Sequence, residues 1–298
     1  MSTSLPKLIA VVGTNASGKS SLAISLAKCL GGEIISADSR QVYRGLDLGS
    51  GKVSPEEMQG VRHHLLDVCD PDTFFTMADF QHLAYRAIDD VLSRGHVPIL
   101  AGGTGLYVDA VCDGYVLSDI EPDLSYRREL EQLSTAQLYG MLQEAVPDTA
   151  IDPQNRNRVM RALEKMHDGD TLPARKCPRY DVLRLGVTWD RPTLCARIDE
   201  RLARRVEQGM IEEVDGLLKS GVSPDFLYRL GLEYRLISQY LLGNFDSRDA
   251  MLEELSRAIK RFAKRQMTWF RRDARIHWLD MRGDPLQEAQ ELCEDFLK

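Results

Sequence analysis

Leu8-Ile9-Ala10-Val11-Val12, followed by Gly13-Thr14-Asn15-Ala16-Ser17-Gly18-Lys19-Ser20, decides the fold class. An apolar run stopped by a glycine is the pattern of a strand buried on both faces, as in a parallel sheet covered by helices. The next residues satisfy G-x-x-x-x-G-K-[ST], and helical spacing runs from Ser20 to Leu30 before Gly31-Gly32 ends it. Strand, glycine-rich loop and helix form the context that this motif requires. Its glycines let successive backbone N–H groups point inward, and the helix N-terminus adds positive potential, so the loop suits a phosphate. Lys19 contributes a point charge to the terminal phosphate, and the Ser20 hydroxyl is placed to hold Mg²⁺. A chance match in a chain this long arises on the order of 1% of the time. The loop specifies phosphate, but neither the compound nor the reaction.

Further strands are expected at Glu33 to Ser36 and Val97 to Ala101, with a helix over about 76–94 between them. That alternation implies a parallel sheet, and right-handed crossovers put the loops after its strands on one edge. The pattern changes after about Val116. Amphipathic helical stretches cover Ser134 to Ala145 and Asn155 to Met166, the loop LPARKCPRY follows, and strand character returns over 182–189. From Arg191 onward helical periodicity dominates. The expected architecture is α/β: a catalytic core over 1–118 and 183–298, its C-terminal part largely helical, with an inserted helical domain over 119–182.

The 298 residues are 43% apolar and 28% charged, which excludes a disordered or fibrous chain, and the formal charge is −7. The six cysteines form no C-x-x-C pair, so neither a zinc site nor a disulfide framework is indicated. No apolar run approaches the ~18 residues a membrane span needs. A cytoplasmic protein with reduced thiols, acting as a monomer without an obligatory protein partner or a membrane, is expected.

Asp38 follows the second strand at the edge that carries the phosphate loop. A carboxylate there serves as a Mg²⁺ ligand, a base or a helix N-cap, and the residues alone do not choose. Ser39 and Gln41 suit a nucleobase edge but are also common loop residues. Thr104, in Gly102-Gly103-Thr104-Gly105, lies at the same edge and also reads as a turn hydroxyl. His63 and His64 read as structural.

The ordered segments GTNASGKS, ADSRQVY, GSGK with HHLLDVCDP, LAGGTGLY, NRNRVMRALE, RLGLEYR and KRQMTWFRR resemble the tRNA dimethylallyltransferase (tRNA isopentenyltransferase) family from about Leu8 to Leu279. The resemblance implies a P-loop NTPase-like core with an inserted helical domain. It also implies transfer of a dimethylallyl group from dimethylallyl diphosphate to N6 of an adenosine beside the anticodon of tRNA. On that basis Gly13 to Ser20 would hold the diphosphate, with Lys19 and Mg²⁺ on Ser20 neutralising it. Asp38 would be the general base, and Ser39, Arg40 and Gln41 would contact the target nucleotide. Thr104 would stand at the reaction channel. Arg127 and the segment Asn157, Arg158, Val159, Met160 and Arg161 would contact tRNA, and Arg229 would lie near the diphosphate. Two departures stand out. Thr14-Asn15 replaces the family's usual Pro-Thr, and extra residues in the late motif leave both Arg229 and Arg235 available for one role. No paired Cys and His with the spacing of the eukaryotic members' zinc finger occur in these 298 residues, so that finger is not expected.

Charge is unevenly spread. Arg257 to Arg275 carries eight basic residues against one acid, and Arg156 to Arg184 eight against four. Either patch alone reads as a solvated helix face. Two patches on an acidic chain suit a clamp on a phosphate backbone. Trp269 and Phe270 beside the first could stack bases, but at helical spacing they read first as core. An adenylate isopentenyltransferase, a P-loop small-molecule kinase and a non-catalytic RNA-binding protein are the alternatives. The basic patches, the D-S-x-Q motif and the N-R-V-M-R segment favour an enzyme acting on tRNA.

Overall fold

The computed structural model describes residues 5–117, 120, 123–170 and 175–298. Six parallel strands form one sheet: β1 (Lys7–Val12), β2 (Gly32–Ser36), β3 (His63–His64), β4 (Val97–Gly102), β5 (Asp181–Thr188) and β6 (Ile276–Asp280). Their order is β3-β2-β4-β1-β5-β6. Leu8 to Val12 have no exposure because β1 is central and covered on both faces. The register pairs Val12 with Gly102 and with Gly186, and Ser36 with Ala101. The loops after β1, β2 and β4 therefore emerge side by side.

The helices are α1 (Lys19–Leu30), α2 (Pro55–Met58), α3 (Met77–Ser93), α4 (Gly105–Cys112), α5 (Leu124–Gln132), α6 (Thr135–Ala145), α7 (Arg156–His167), α8 (Arg191–Glu207), α9 (Met210–Lys219), α10 (Pro224–Leu230), α11 (Leu232–Leu241), α12 (Arg248–Phe270) and α13 (Pro285–Leu297). Helices α1 and α13 cover one sheet face around Ile9, Val11, Leu185 and Leu279. Helices α3 and α4 cover the other around Leu8, Ala10, Ile35 and Leu100. A third apolar cluster joins α8 to α12 and includes Ala16 of the phosphate loop together with Val42, Tyr43 and Leu46.

The chain divides into two compact units, Met1–Gly114 with Pro178–Lys298, and Tyr115–Cys177. The second unit holds α5, α6 and α7 around its own core of Leu130, Leu138, Leu142, Val159, Met160 and Leu163. Its base is closed by an antiparallel bridge between Tyr115 and Lys176 and by the Val116 amide donating to Arg175 O at 3.0 Å. The expected limits of 119–182 shift accordingly. Tyr180 belongs to the first unit, where it donates to Asp89 at 2.9 Å, and Asp181 already pairs with Lys7. The expected boundary at 118/119 and residues 172–174 of the LPARKCPRY loop lie outside the described residues. The C-terminal part is largely helical, as expected, with the short strand β6 between α12 and α13. His63 and His64 form the short edge strand, and His64 Nε2 lies 2.7 Å from Glu33 Oε2. Among the described residues no helix is long and apolar enough to cross a membrane.

Candidate active site

The phosphate loop turns through left-handed backbone at Ala16 (φ 60°) and Gly18 (φ 90°) before α1 begins. Ser17 Oγ donates to Thr14 O at 2.8 Å, and Lys19 Nζ lies 3.3 Å from the same carbonyl, so the lysine folds back over its own loop. The β5–α8 connection and α8 itself brace the loop from outside. Trp189 Nε1 donates to Ser17 O at 2.9 Å, and Arg197 Nε donates to Ala16 O at 3.0 Å. Thr14 is buried, so the residue standing where the family usually has proline is a packed one.

The loops after β2 and β4 meet this cradle. Asp38 Oδ1 accepts from the Arg40 amide at 2.9 Å, and turns rather than a helix follow it. The N-cap role is thereby excluded, and the carboxylate lines a pocket with Lys19, Ser20 and Gln41. Gln41 is held from both ends: its Oε1 accepts from Ser36 Oγ at 2.9 Å and its Nε2 donates to Gly51 O at 3.2 Å. Thr104 precedes α4, yet its hydroxyl does not cap that helix. It accepts from the Ser39 amide at 3.1 Å, which ties the β2 loop to the β4 loop. Gly103 is required by close approach, since a Cβ there would stand 2.6 Å from Gln266 Nε2 and 3.5 Å from Lys19 Nζ.

Helix α8 completes the pocket with residues that reading the motifs alone does not find. Arg201 and Arg205 line it together with Lys19, Asp38 and Glu233. Burial, and then the neighbouring Arg205, push Arg201 down to about 9. Burial, and then Arg201, push Lys19 down to about 8. Arg40 forms a buried 2.6 Å ion pair with Glu233, which Arg205 approaches at 3.8 Å. Four cations thus converge with two carboxylates, Asp38 and Glu233. Guanidinium groups do not surrender protons near neutral pH, so the excess positive charge calls for a polyanion. Gly51 (φ 68°) faces this pair, and a Cβ there would overlap the Arg205 guanidinium. Its loop is fixed by Glu213, which accepts from the amides of Asp47 (3.1 Å), Leu48 (2.6 Å) and Gly49 (3.0 Å) and from the Tyr234 hydroxyl (3.0 Å).

Gly13 to Ser20, Asp38, Ser39, Gln41 and Thr104 are therefore brought to one edge. Arg40 is there too, but its guanidinium is buried against Glu233 rather than turned outward. Arg229 departs from the expectation: it is exposed near the end of α10 and does not line the pocket. Arg235 stacks over the Tyr228 ring at 5.6 Å instead of replacing it. The break at Gly231 and Leu232, both with positive φ, starts a new helix, so Glu233 rather than either arginine reaches the pocket.

Within the inserted unit, Asn157, Arg158 and Arg161 are exposed. Val159 and Met160 are buried in its core and offer no surface to a nucleic acid, which corrects their expected role. Arg127 and Arg161 both engage the buried Glu164, at 3.0 and 3.3 Å. Along α12, Arg257, Lys260 and Arg261 are paired with Glu254 or Asp199, whereas Lys264, Arg265, Arg271 and Arg272 have no carboxylate partner among the described residues. Trp269 donates to Asp109 at 2.9 Å and Phe270 is buried, so both are core.

Residues 41–273 match the family model described as IPP transferase, and the chain belongs to that family. The phosphate loop and Asp38 precede the matched span, whereas the similarity to the relatives below extends over nearly the whole chain. The chain is 45% identical over 296 residues to tRNA dimethylallyltransferase 2 of Shewanella sediminis, covering 97% of this chain and 98% of the relative. It is 42% identical over 291 residues to tRNA dimethylallyltransferase 1 of Geotalea uraniireducens, covering 96% of each. The structure of the full-length tRNA isopentenylpyrophosphate transferase from Bacillus halodurans matches with TM-score 0.74 at 40% identity, covering 98% of this chain and 95% of the other. A eukaryotic dimethylallyltransferase acting on tRNA matches in fold with TM-score 0.83 at 24% identity, covering 98% of this chain and 79% of the other.

Proposed function

We propose that the chain transfers a dimethylallyl group from dimethylallyl diphosphate to N6 of an adenosine next to the anticodon in tRNA. The observation that carries this reading is the single pocket in which the phosphate loop, the α8 arginines and the Asp38 carboxylate converge. A donor's diphosphate would lie on the loop amides under Lys19, Arg201 and Arg205. As the allylic carbon–oxygen bond breaks, the electron pair and growing charge go to the diphosphate, where preorganised donors in a dry site are worth several kcal/mol. The new bond forms between that carbon and N6 of the adenine. Its amino lone pair is delocalised, so Asp38 takes the N6 proton as the bond forms, a contribution of roughly 10²–10⁴-fold. Thr104 holds Ser39 and so fixes the turn that presents Asp38. The target base must leave its stack to arrive there.

Mg²⁺ fits this donor set. The Ser20 hydroxyl supplies a hard oxygen to the pocket, and Mg²⁺ takes few protein ligands when phosphate oxygens and water complete its shell, which leaves Asp38 to act as the base. When bound it would neutralise part of the charge on the departing diphosphate. On the tRNA side, the unpaired cations of α12 and the exposed Asn157, Arg158 and Arg161 are the candidate backbone contacts, and a cytoplasmic site of action accords with that substrate. Incubating the purified chain with labelled dimethylallyl diphosphate, unmodified tRNA and Mg²⁺, with ATP as a competing donor, tests the reading. Label is expected in tRNA. Phosphoryl transfer from ATP to a small acceptor, without label in tRNA, would replace it with a kinase.

A further inference from the structure

Helix α8 carries two parallel ridges. Ile198 and Leu202 are four residues apart, as are Arg201 and Arg205, so each pair forms one row on the helix and the two rows adjoin. All four side chains line the pocket that holds Lys19 and Asp38, and Ile259 of α12 lines it as well. Ile198, Leu202 and Ile259 are 2%, 8% and 6% exposed. The pocket measures about 500 Å³ including its open mouth. A surface with cations along one row and branched aliphatics along the next matches a ligand with a polyanionic head and a short hydrocarbon tail.

We infer that Ile198, Leu202 and Ile259 form the wall against which the donor's hydrocarbon tail lies, and that this wall sets tail length. The inference rests on the function proposed above and extends it to donor selectivity. With the diphosphate held by Lys19, Arg201 and Arg205, the large aliphatic side chains that line the same pocket as those arginines are Ile198, Leu202 and Ile259, and the tail ends on them. A further isoprene unit meets Ile198 and Ile259, which are themselves packed in the cluster joining α8 to α12 and have little room to move. A pocket wall of this kind discriminates by roughly 10–200-fold per mis-sized group.

The test is competition between dimethylallyl diphosphate and geranyl diphosphate for unmodified tRNA, read by mass spectrometry of the nucleosides, in the natural chain, Ile198→Ala, Ile259→Ala and the filling variant Ile198→Phe. Inhibition by inorganic pyrophosphate is measured in parallel and is expected to stay within about twofold, because the head-group cations are untouched. The natural chain is expected to prefer the five-carbon donor by about 100-fold or more. Both alanine variants should lower that preference at least tenfold, and Ile198→Phe should raise KM for the five-carbon donor about tenfold. A preference unchanged in all three variants overturns the inference while leaving the proposed reaction standing. A natural chain that transfers neither group to tRNA overturns both.

Discussion

Gln266 Oε1 accepts a hydrogen bond from the Asn15 amide at 2.9 Å, joining residues 251 positions apart. The same side chain donates through Nε2 to Gly103 O at 2.9 Å. One buried amide on α12 thus fixes the phosphate loop to the loop that bears Thr104 and, on the function proposed above, would set the distance between the donor's head group and the acceptor. Gln266→Leu keeps the bulk but leaves a buried N–H and C=O unpartnered. Stability should fall by about 1–3 kcal/mol in urea unfolding. KM for the donor should rise about tenfold while tRNA affinity holds, and an unchanged KM would make Gln266 a packing residue only.

Asp38 is free to act because no helix follows it. Asp38→Asn preserves the acceptor that receives the Arg40 amide yet cannot take a proton from N6. Turnover is expected to fall by roughly 10²–10⁴-fold in single-turnover assays. Affinity for tRNA should change by less than about threefold, and full turnover in Asp38→Asn would remove it as the base.

Arg201 and Arg205 give the clearest contrast with the motif reading. Each faces the pocket, whereas Arg229 is exposed on α10. A desolvated charge pair to phosphate typically carries 2–5 kcal/mol on truncation. Arg201→Ala and Arg205→Ala should therefore weaken competitive inhibition by inorganic pyrophosphate at least 30-fold each, and Arg229→Ala by no more than about threefold. The opposite ranking would return the diphosphate contact to Arg229.

The core sheet was legible because β1 is covered on both faces, which forces an uninterrupted apolar run that nothing but a central strand explains. Strand β3 was not, since two histidines on an edge carry no pattern. Strand β6 was hidden for a related reason. Its burial does not alternate: Ile276 and Leu279, three apart and so on opposite sheet faces, are buried while His277 and Asp280 are exposed, shortly after a strongly basic helix. The site divides along the same line. Loop residues at the sheet edge follow from topology, but charges four apart on α8 look like a solvated face until α12 and the 47–51 loop bury them. Val159 and Met160 show the converse: inside a tRNA-associated motif, two of the residues are there to pack the inserted unit's core. A usable signal existed for α8, in that its arginine row sits three residues from an aliphatic row.

Glu33 predicts how the sheet responds to acid. Its carboxylate on β2 is hydrogen-bonded by Arg94 and lies 2.7 Å from His64 Nε2 on β3. Those partners, Arg94 first, hold it down at about 2. The folded value lies below the unfolded one, so the unfolded chain takes up this proton first as pH falls. The stabilisation is present above about 4.5 and is lost between there and about 2. Glu33→Gln should cost about 1–3 kcal/mol at pH 7, and the gap to the natural chain should close as pH approaches 2.5. Urea midpoints across that range check it, and a pH-independent gap would assign the loss to packing.

The basic helix makes the last distinction. Its early cations already have carboxylates: Arg257 lies 3.3 Å from Glu254, Lys260 2.7 Å from Asp199, and Arg261 2.5 Å from Glu254. Lys264, Arg265, Arg271 and Arg272 have none among the described residues, although Arg265 and Arg272 lie over the rings of Phe262 and Trp269. Only a cation without a protein partner can release counterions from a phosphate backbone without first breaking an ion pair. Each such contact contributes about 0.7–0.9 to the slope of log affinity against log salt. Replacing all four with Gln should flatten the slope for tRNA by about 3–3.5, whereas Arg257→Gln with Arg261→Gln should leave it within about 0.5. Equal flattening by the two sets would mean that the internal pairs open on binding and that the whole face, not its C-terminal half, meets the RNA.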